Sequence, residues 1–249
     1  MHPPEIRARA RQVHRAGGSV ADAARAVGLP YRTVWHWCND RPEARQRGTE
    51  LRCFRCRDGL DGPADPVAYA YLLGLYIGDG HLVTTARVPV LRIYCAAAWP
   101  GLVDACDLAM RAVLATTVQR VRKQGCVRVQ SYGRHWPCLF PQHGPGRKHE
   151  RRIGLADWQR EIVQRRPGDF LRGLFHSDGC RVDNRVTVRG RPYVYPRYHF
   201  SNESTHIMGL CQWALDMLGV AWTMNRRNCL SVARRAAVAT LDGHVGPKH

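Results

Sequence analysis

The sequence predicts an α+β protein in which a small all-α module precedes two pseudo-symmetric αββαββ half-domains. Three observations predict it. The nonamer LLGLYIGDG at residues 72–80 returns as LRGLFHSDG at 171–179, with 178 − 79 = 99 residues between the two aspartates, too long for a solenoid repeat and suited to a duplicated half-domain. The pattern after each copy runs strand, strand, helix, strand, strand. Ahead of the first copy lies NDRPEARQRGTELRCFRCRDGLDGPADP, rich in Gly, Pro and charge, which reads as a linker. The resulting boundaries are 1–47 for the α-module, 48–64 for the linker and 65–249 for the duplicated domain, with halves at about 65–140 and 168–240.

In the first module Ser19 suits a helix N-cap, VADAARAV supplies an apolar face at Val20, Ala23, Ala24 and Val27, and Gly28 allows a tight turn. A second helix is expected from about Pro30 to Trp37, since proline suits the first helical position. Val34 and Trp37 then point inward, leaving Tyr31, Arg32, Thr33 and His36 outward. An ordinary helical hairpin has the same pattern. The arrangement also resembles the helix-turn-helix of bacterial DNA-binding proteins, which implies that Arg32, Thr33 and His36 meet base edges.

The duplicated region runs in parallel. After Gly80 come HLVTTARVPVLRIYCA, an amphipathic WPGLVDACDLAMRAVLA and the hairpin VQRVRKQGCVRVQSYG. After Gly179 come RVDNRVTVRGRPYVYPRYHFSN, STHIMGLCQWALDMLG and AWTMNRRNCLSVARR. The hairpin tips match at Cys126 and Cys229, an offset of 229 − 126 = 103. Between the halves, the basic stretch His143–Arg152 reads as a solvated connector touching DNA backbone, followed by a helix-like ADWQREIV; GPGRKH lacks the spacing of a phosphate-binding P-loop.

Composition narrows the partner. Lys plus Arg number 38 against 20 Asp plus Glu, a formal charge of +18, which points to a polyanion such as nucleic acid. Arg122, Lys123, Arg128, Lys148, Arg226, Arg227 and Arg234 are the candidate contacts in the duplicated region, on RVRKQGCVRVQ, GPGRKH and RRNCLSVARR. Only Lys123, Lys148 and Lys248 are lysines. No apolar stretch approaches the ~20 residues that span a bilayer, and the N-terminus lacks the apolar core of a signal peptide, so a cytoplasmic, nucleoid-associated protein is expected. Ten scattered cysteines then read as reduced thiols. Cys53 and Cys56 alone have metal-ligand spacing; zinc there would need recruits such as Cys38 and His36 to close a tetrahedron.

The repeated nonamer places Gly74 and Gly78, and Gly173 and Ser177, four apart on one face of each helix. Glycine within a helix costs ~1 kcal/mol relative to alanine, so two such faces suggest that the two helices touch each other. Gly80 and Gly179 are expected to end the helices in left-handed caps. Asp79 and Asp178 then fall in the last turns, at the negative end of each helix dipole and near one another, an arrangement that calls for a cation such as Mg²⁺.

LLGLYIGDG and LRGLFHSDG resemble the two signature motifs of single-chain LAGLIDADG homing endonucleases, over residues about 65 to 240. The resemblance implies motif helices side by side on a pseudo-twofold axis and sheets that form a saddle over double-stranded DNA. It also implies Asp79 and Asp178 as catalytic metal ligands, with Gly78 and Ser177 lining the metal site and Mg²⁺ or another divalent cation as cofactor. One polypeptide supplying both halves implies a monomer. The sixth motif position is Ile77 in one copy and His176 in the other, and Arg134 and Arg234 or Arg235 stand where the family often places lysine. The expected activity is site-specific, metal-dependent cleavage of DNA. The alternative is a non-cleaving transcriptional regulator on the same fold, as in sporulation regulators that join it to a helix-turn-helix.

Overall fold

A computed structural model describes residues 3–39, 53–56, 60–246 and 248. The chain divides into two compact units, Met1–Leu51 and Arg52–His249.

The smaller unit contains α1 (Pro4–Arg15), α2 (Val20–Val27) and α3 (Tyr31–Asn39) around Ala10, Ala23, Ala24 and Val34. Ser19 and Asp22 form a reciprocal capping box at the start of α2, and Gly28 adopts φ 65° at its end. Both are the local signals that the sequence carries there.

The larger unit repeats one topology. Its first half holds α4 (Pro66–Asp79), β1 (Gly80–Val83), β2 (Val90–Ala96), α5 (Pro100–Val113), β3 (Gln119–Lys123) and β4 (Cys126–Tyr132). A single turn, α6 (Trp136–Leu139), and then α7 (Asp157–Arg165) lead to the second half. That half holds α8 (Pro167–Asp178), β5 (Gly179–Val188), β6 (Arg191–Ser201), α9 (Thr205–Met217), β7 (Thr223–Arg226) and β8 (Cys229–Val232). A final helix, α10 (Arg235–His244), follows. The two four-stranded antiparallel sheets have the same order, β1-β2-β4-β3 and β5-β6-β8-β7.

Asp65 starts α4 by accepting the Val67 and Ala68 amides at 2.8 and 3.0 Å, with Pro66 supplying the first helical residue. The helix ends without a left-handed cap. Gly80 (φ −83°) and Gly179 (φ −103°) are extended and begin the next strand directly. Glycine is needed there for space: a Cβ on Gly80 would lie 2.7 Å from the Tyr76 carbonyl oxygen, and one on Gly179 2.7 Å from the Phe175 Cα. Each sheet packs one face on a shared core that includes Leu91, Ile93, Val129, Tyr198, Phe200 and Leu230. Among the described residues no helix is long and apolar enough to cross a membrane.

Candidate functional site

Helices α4 and α8 meet backbone to backbone. A Cβ on Gly74 would strike the Phe170 carbonyl oxygen and lie 2.8 Å from the Leu174 nitrogen; one on Gly173 would strike the Tyr71 carbonyl oxygen and lie 2.8 Å from the Leu75 nitrogen. One turn further on, a Cβ on Gly78 would collide with the Ser177 hydroxyl and come within 3.1 Å of Asp178 Oδ2. The helices therefore converge at the ends that carry Asp79 and Asp178. Across the same contact the Tyr71 hydroxyl and His176 Nδ1 lie 3.1 Å apart, and His176 Nε2 lies 3.0 Å from the Val245 carbonyl.

Asp79 is open to solvent and Asp178 half-buried. Even so, loss of water around Asp79 and the nearby Asp178 charge push its carboxyl up to about 6, against the pull of Lys148 and Lys248. Desolvation raises Asp178 too, while the Asn202 amide, donating to Oδ2 at 2.7 Å, holds it down. Carboxyls that bind protons more tightly than usual in a partly dehydrated site are short of positive charge. Two converging carboxylates, an all-oxygen donor set, fit a hard divalent cation such as Mg²⁺.

Two lysines reach this place. Lys148 Nζ donates to the carbonyls of Tyr76, Ile77 (3.0 Å) and Gly78 (2.8 Å) at the C-terminal end of α4, and lies 5.0 Å from the Tyr76 ring centroid. Lys248 Nζ donates to the Gly179 carbonyl at 2.6 Å. Burial brings the Lys148 ammonium down to about 8, with Asp178 and Asp79 pulling the other way; burial also lowers Lys248, opposed by Cys180 and the same carboxylates. The lysine pair is spaced 248 − 148 = 100 residues, beside 99 for the aspartates.

The sequence had offered Arg134 and Arg234 or Arg235 for this basic position; all three are exposed. Lys148 lies in the stretch expected as a solvated connector, and its signal in the sequence is that two of the three lysines stand 248 − 148 = 100 residues apart, one more than the aspartates. The Gly78 carbonyl accepts from Lys148, and the Ser177 hydroxyl donates back to the Leu174 carbonyl at 3.1 Å. His81, just past Gly80, is a further neighbour: desolvation, Arg92, Lys148 and Arg151 keep its imidazole below its usual range.

Strand alternation sets the outer face of each sheet. In the first, Ile93 and Val129 point into the core, so Arg92 lies outward beside Gln130, and Tyr94 beside Arg128. In the second, Tyr198 and Phe200 are buried, so Arg197 and His199 lie outward, with Ser231 paired to His199. On these faces Arg92 Nε, Arg128 Nε, Gln130 Oε1, Arg197 Nε and Ser231 Oγ are shielded from solvent yet have no hydrogen-bond partner. Buried polar atoms are normally paired with protein or ordered water, so these mark where each outer face can take further hydrogen bonds.

Of the sequence candidates, Lys123 and Arg128 lie on the outer face of the first sheet. Arg122 pairs with Val127 on the opposite face, where Arg120 binds Asp107 at 2.8 Å and Asp104 at 2.5 Å. Arg226 pairs with Cys229, next to Ser201. Arg227 is bound to Glu203 at 2.9 Å, and Arg234 precedes α10 and is exposed. Arg32 is exposed and Thr33 half-buried on α3, and the His36 side chain lies outside the described residues. Arg92, Gln130, Arg197, His199 and Ser231 were not singled out, because outward placement depends on register rather than residue type.

The CxxC pair also finds company. Cys53, Cys56, His135 and Cys138 bring their ligand atoms within 4.8 Å of one another. Of the expected recruits, Cys38 belongs to the smaller unit, with Sγ 3.9 Å from the Ala10 carbonyl oxygen, and the His36 side chain lies outside the described residues.

No family model and no curated protein matches the sequence. Among solved structures the chain is similar to the homing endonuclease I-DmoI in complex with DNA and Mn, at 14% identity and a TM-score of 0.47 over 74% of this chain and 98% of that one. It is similar to full-length DUF199/WhiA from Thermatoga maritima, at 14% identity and a TM-score of 0.45 over 74% and 56%. It is also similar to the LAGLIDADG meganuclease I-AabMI bound to uncleaved DNA, at 10% identity and a TM-score of 0.46 over 71% and 83%.

Proposed function

We propose that this chain is a divalent-metal-dependent endonuclease that binds a specific double-stranded DNA site as a monomer and cuts one strand with each half. The observation that carries the reading is the Asp79/Asp178 pair at converging helix ends, each helix end also held by a lysine. Asp79 and Asp178 would hold Mg²⁺ or a similar ion, which when bound activates water and offsets phosphate charge. Lys148 Nζ, donating to three carbonyls at the end of α4, places a positive charge beside the carboxylate pair. Asn202 keeps the Asp178 carboxylate oriented. Outer-face side chains such as Arg92, Gln130, Arg128, Arg197 and Ser231 supply contacts to groove and phosphates, and α3 adds site choice through Arg32, Thr33 and His36.

One observation favours the second reading, a regulator that binds without cutting. Lys148 already caps three carbonyls of α4 and, with Lys248, partly offsets the charge of the carboxylates. Incubating the full chain with a randomised duplex library in Mg²⁺ separates the two. Site-specific products that vanish in the Asp79→Asn/Asp178→Asn double variant, while DNA binding in Ca²⁺ persists, support the enzyme. Tight binding of a defined site with no cutting in Mg²⁺ or Mn²⁺ leaves the regulator.

A further inference from the structure

We propose that Cys53, Cys56, His135 and Cys138 form a closed structural zinc site that fastens the start of the larger unit to the end of its first half. Two short turns meet there. In the first, the Cys56 amide donates to the Cys53 carbonyl at 3.0 Å; in the second, the Cys138 amide donates to the His135 carbonyl at 3.0 Å. Each turn presents two ligands spaced by two residues, C-x-x-C and H-x-x-C. This is the paired-knuckle spacing of structural zinc sites.

The separations suit a tetrahedron. Cys53 Sγ and Cys56 Sγ lie 3.2 and 3.5 Å from His135 Nδ1, and no two of the four ligand atoms are more than 4.8 Å apart. Zinc bonds to sulfur and imidazole nitrogen give tetrahedral edges of about 3.5 to 3.8 Å. The far side of the imidazole is committed as well: His135 Nε2–H donates to the Asp61 carbonyl oxygen at 2.7 Å, which leaves Nδ1 as the ligand. His135 and Cys53 are buried. Four protein ligands leave no open position, which marks the site as structural rather than catalytic. Three thiols and an imidazole also distinguish it from a simple C-x-x-C redox pair, which would use two thiols and leave Cys138 and His135 without a role.

The site also explains a departure from the internal symmetry. After β8 the second half continues into α10, whose Ala237, Val238 and Leu241 are buried in the core. After β4 the first half has only the single turn α6, and the proposed metal ties that turn to residues 53–56. The ligands share no residue with the carboxylate pair, so the proposal does not depend on whether the protein cuts DNA.

The test is elemental analysis of the full chain purified in reducing buffer, with cobalt substitution. Expected is about one zinc per chain, lost in Cys53→Ser/Cys56→Ser and in Cys138→Ser but kept in the Cys180→Ser control. Cobalt exchanged into the wild type should give the visible bands of a tetrahedral ion and a thiolate charge-transfer band. The wild-type cobalt spectrum decides the matter even if the variants do not fold. Metal-free protein whose reduced thiols give no such spectrum overturns the proposal, as does iron in place of zinc, or zinc retained by a folded Cys138→Ser variant.

Discussion

At the scale of single residues, the behaviour to expect follows from the charges gathered around Asp79. Its carboxyl is raised to about 6 by desolvation and by Asp178. A proton and a metal ion compete for it, so divalent-ion affinity should fall as pH drops through about 6; calcium titrations at pH 5, 6, 7 and 8 would read this. Flat affinity across that range would remove Asp79 as a ligand. The stability term has the same origin. A carboxyl raised in the folded state adds stability that is complete below the unfolded value and disappears as pH climbs through about 6. Asp79→Asn should therefore melt higher than wild type at pH 8, by up to roughly 1 kcal/mol because solvent screens an open carboxylate, and the gain should vanish near pH 4. Thermal melts at both values check it. The contact of Lys148 with α4 is not legible in the sequence because it spans more than seventy positions, whereas the aspartates are legible because helix, glycine and carboxylate all lie within one nonamer.

At the scale of elements, glycine spacing and strand alternation make separable claims. Gly74 and Gly173 are small because each faces the other helix's backbone, which cannot give way. Gly74→Ala or Gly173→Ala should destabilise the larger unit by about 1–3 kcal/mol or prevent folding. Gly209, on an open face of α9 with no atom near its missing Cβ, is the control; Gly209→Ala should stabilise by about 0.5–1 kcal/mol. Denaturant unfolding distinguishes the two. In the first sheet, Arg92→Ala or Arg128→Ala should weaken DNA binding and lower its salt dependence, each phosphate contact contributing about −0.9 to the slope. Arg120→Ala, on the helix side, should instead cost stability by freeing Asp104 and leaving the buried Asp107 with Arg111 alone. The alternating strands and amphipathic helices made the order of elements readable in advance. Helix α10 was not read, since RAAVATLDGH carries no capping side chain, and the left-handed caps were wrongly expected because the next strand begins where a cap would turn.

At the scale of the whole molecule, the stretch expected as a linker is divided between the two units. Residues 53–56 belong to the larger unit, and the residues up to Leu51 to the smaller one. That the C-x-x-C pair looks like linker in the sequence is a matter of distance: Cys53 and Cys56 lie 82 and 79 positions from His135, with nothing nearby to announce it. A chain shortened to begin at Arg52 retains all four cysteine and histidine ligands, and one shortened to begin at Ala64 loses two. The first should fold cooperatively and bind DNA with a smaller salt slope than the full chain, because the contacts of α1 to α3 are gone and those of the sheets remain. The second should melt lower, since His135 and Cys138, before and within α6, lose the metal that ties them to the 53–56 turn. Calorimetry with anisotropy titrations at several salt concentrations reads both. Should the Arg52 chain aggregate where the full chain stays soluble, the two units do not fold independently; should the Ala64 chain melt with the Arg52 chain, the 53–56 turn contributes nothing to the stability of the body.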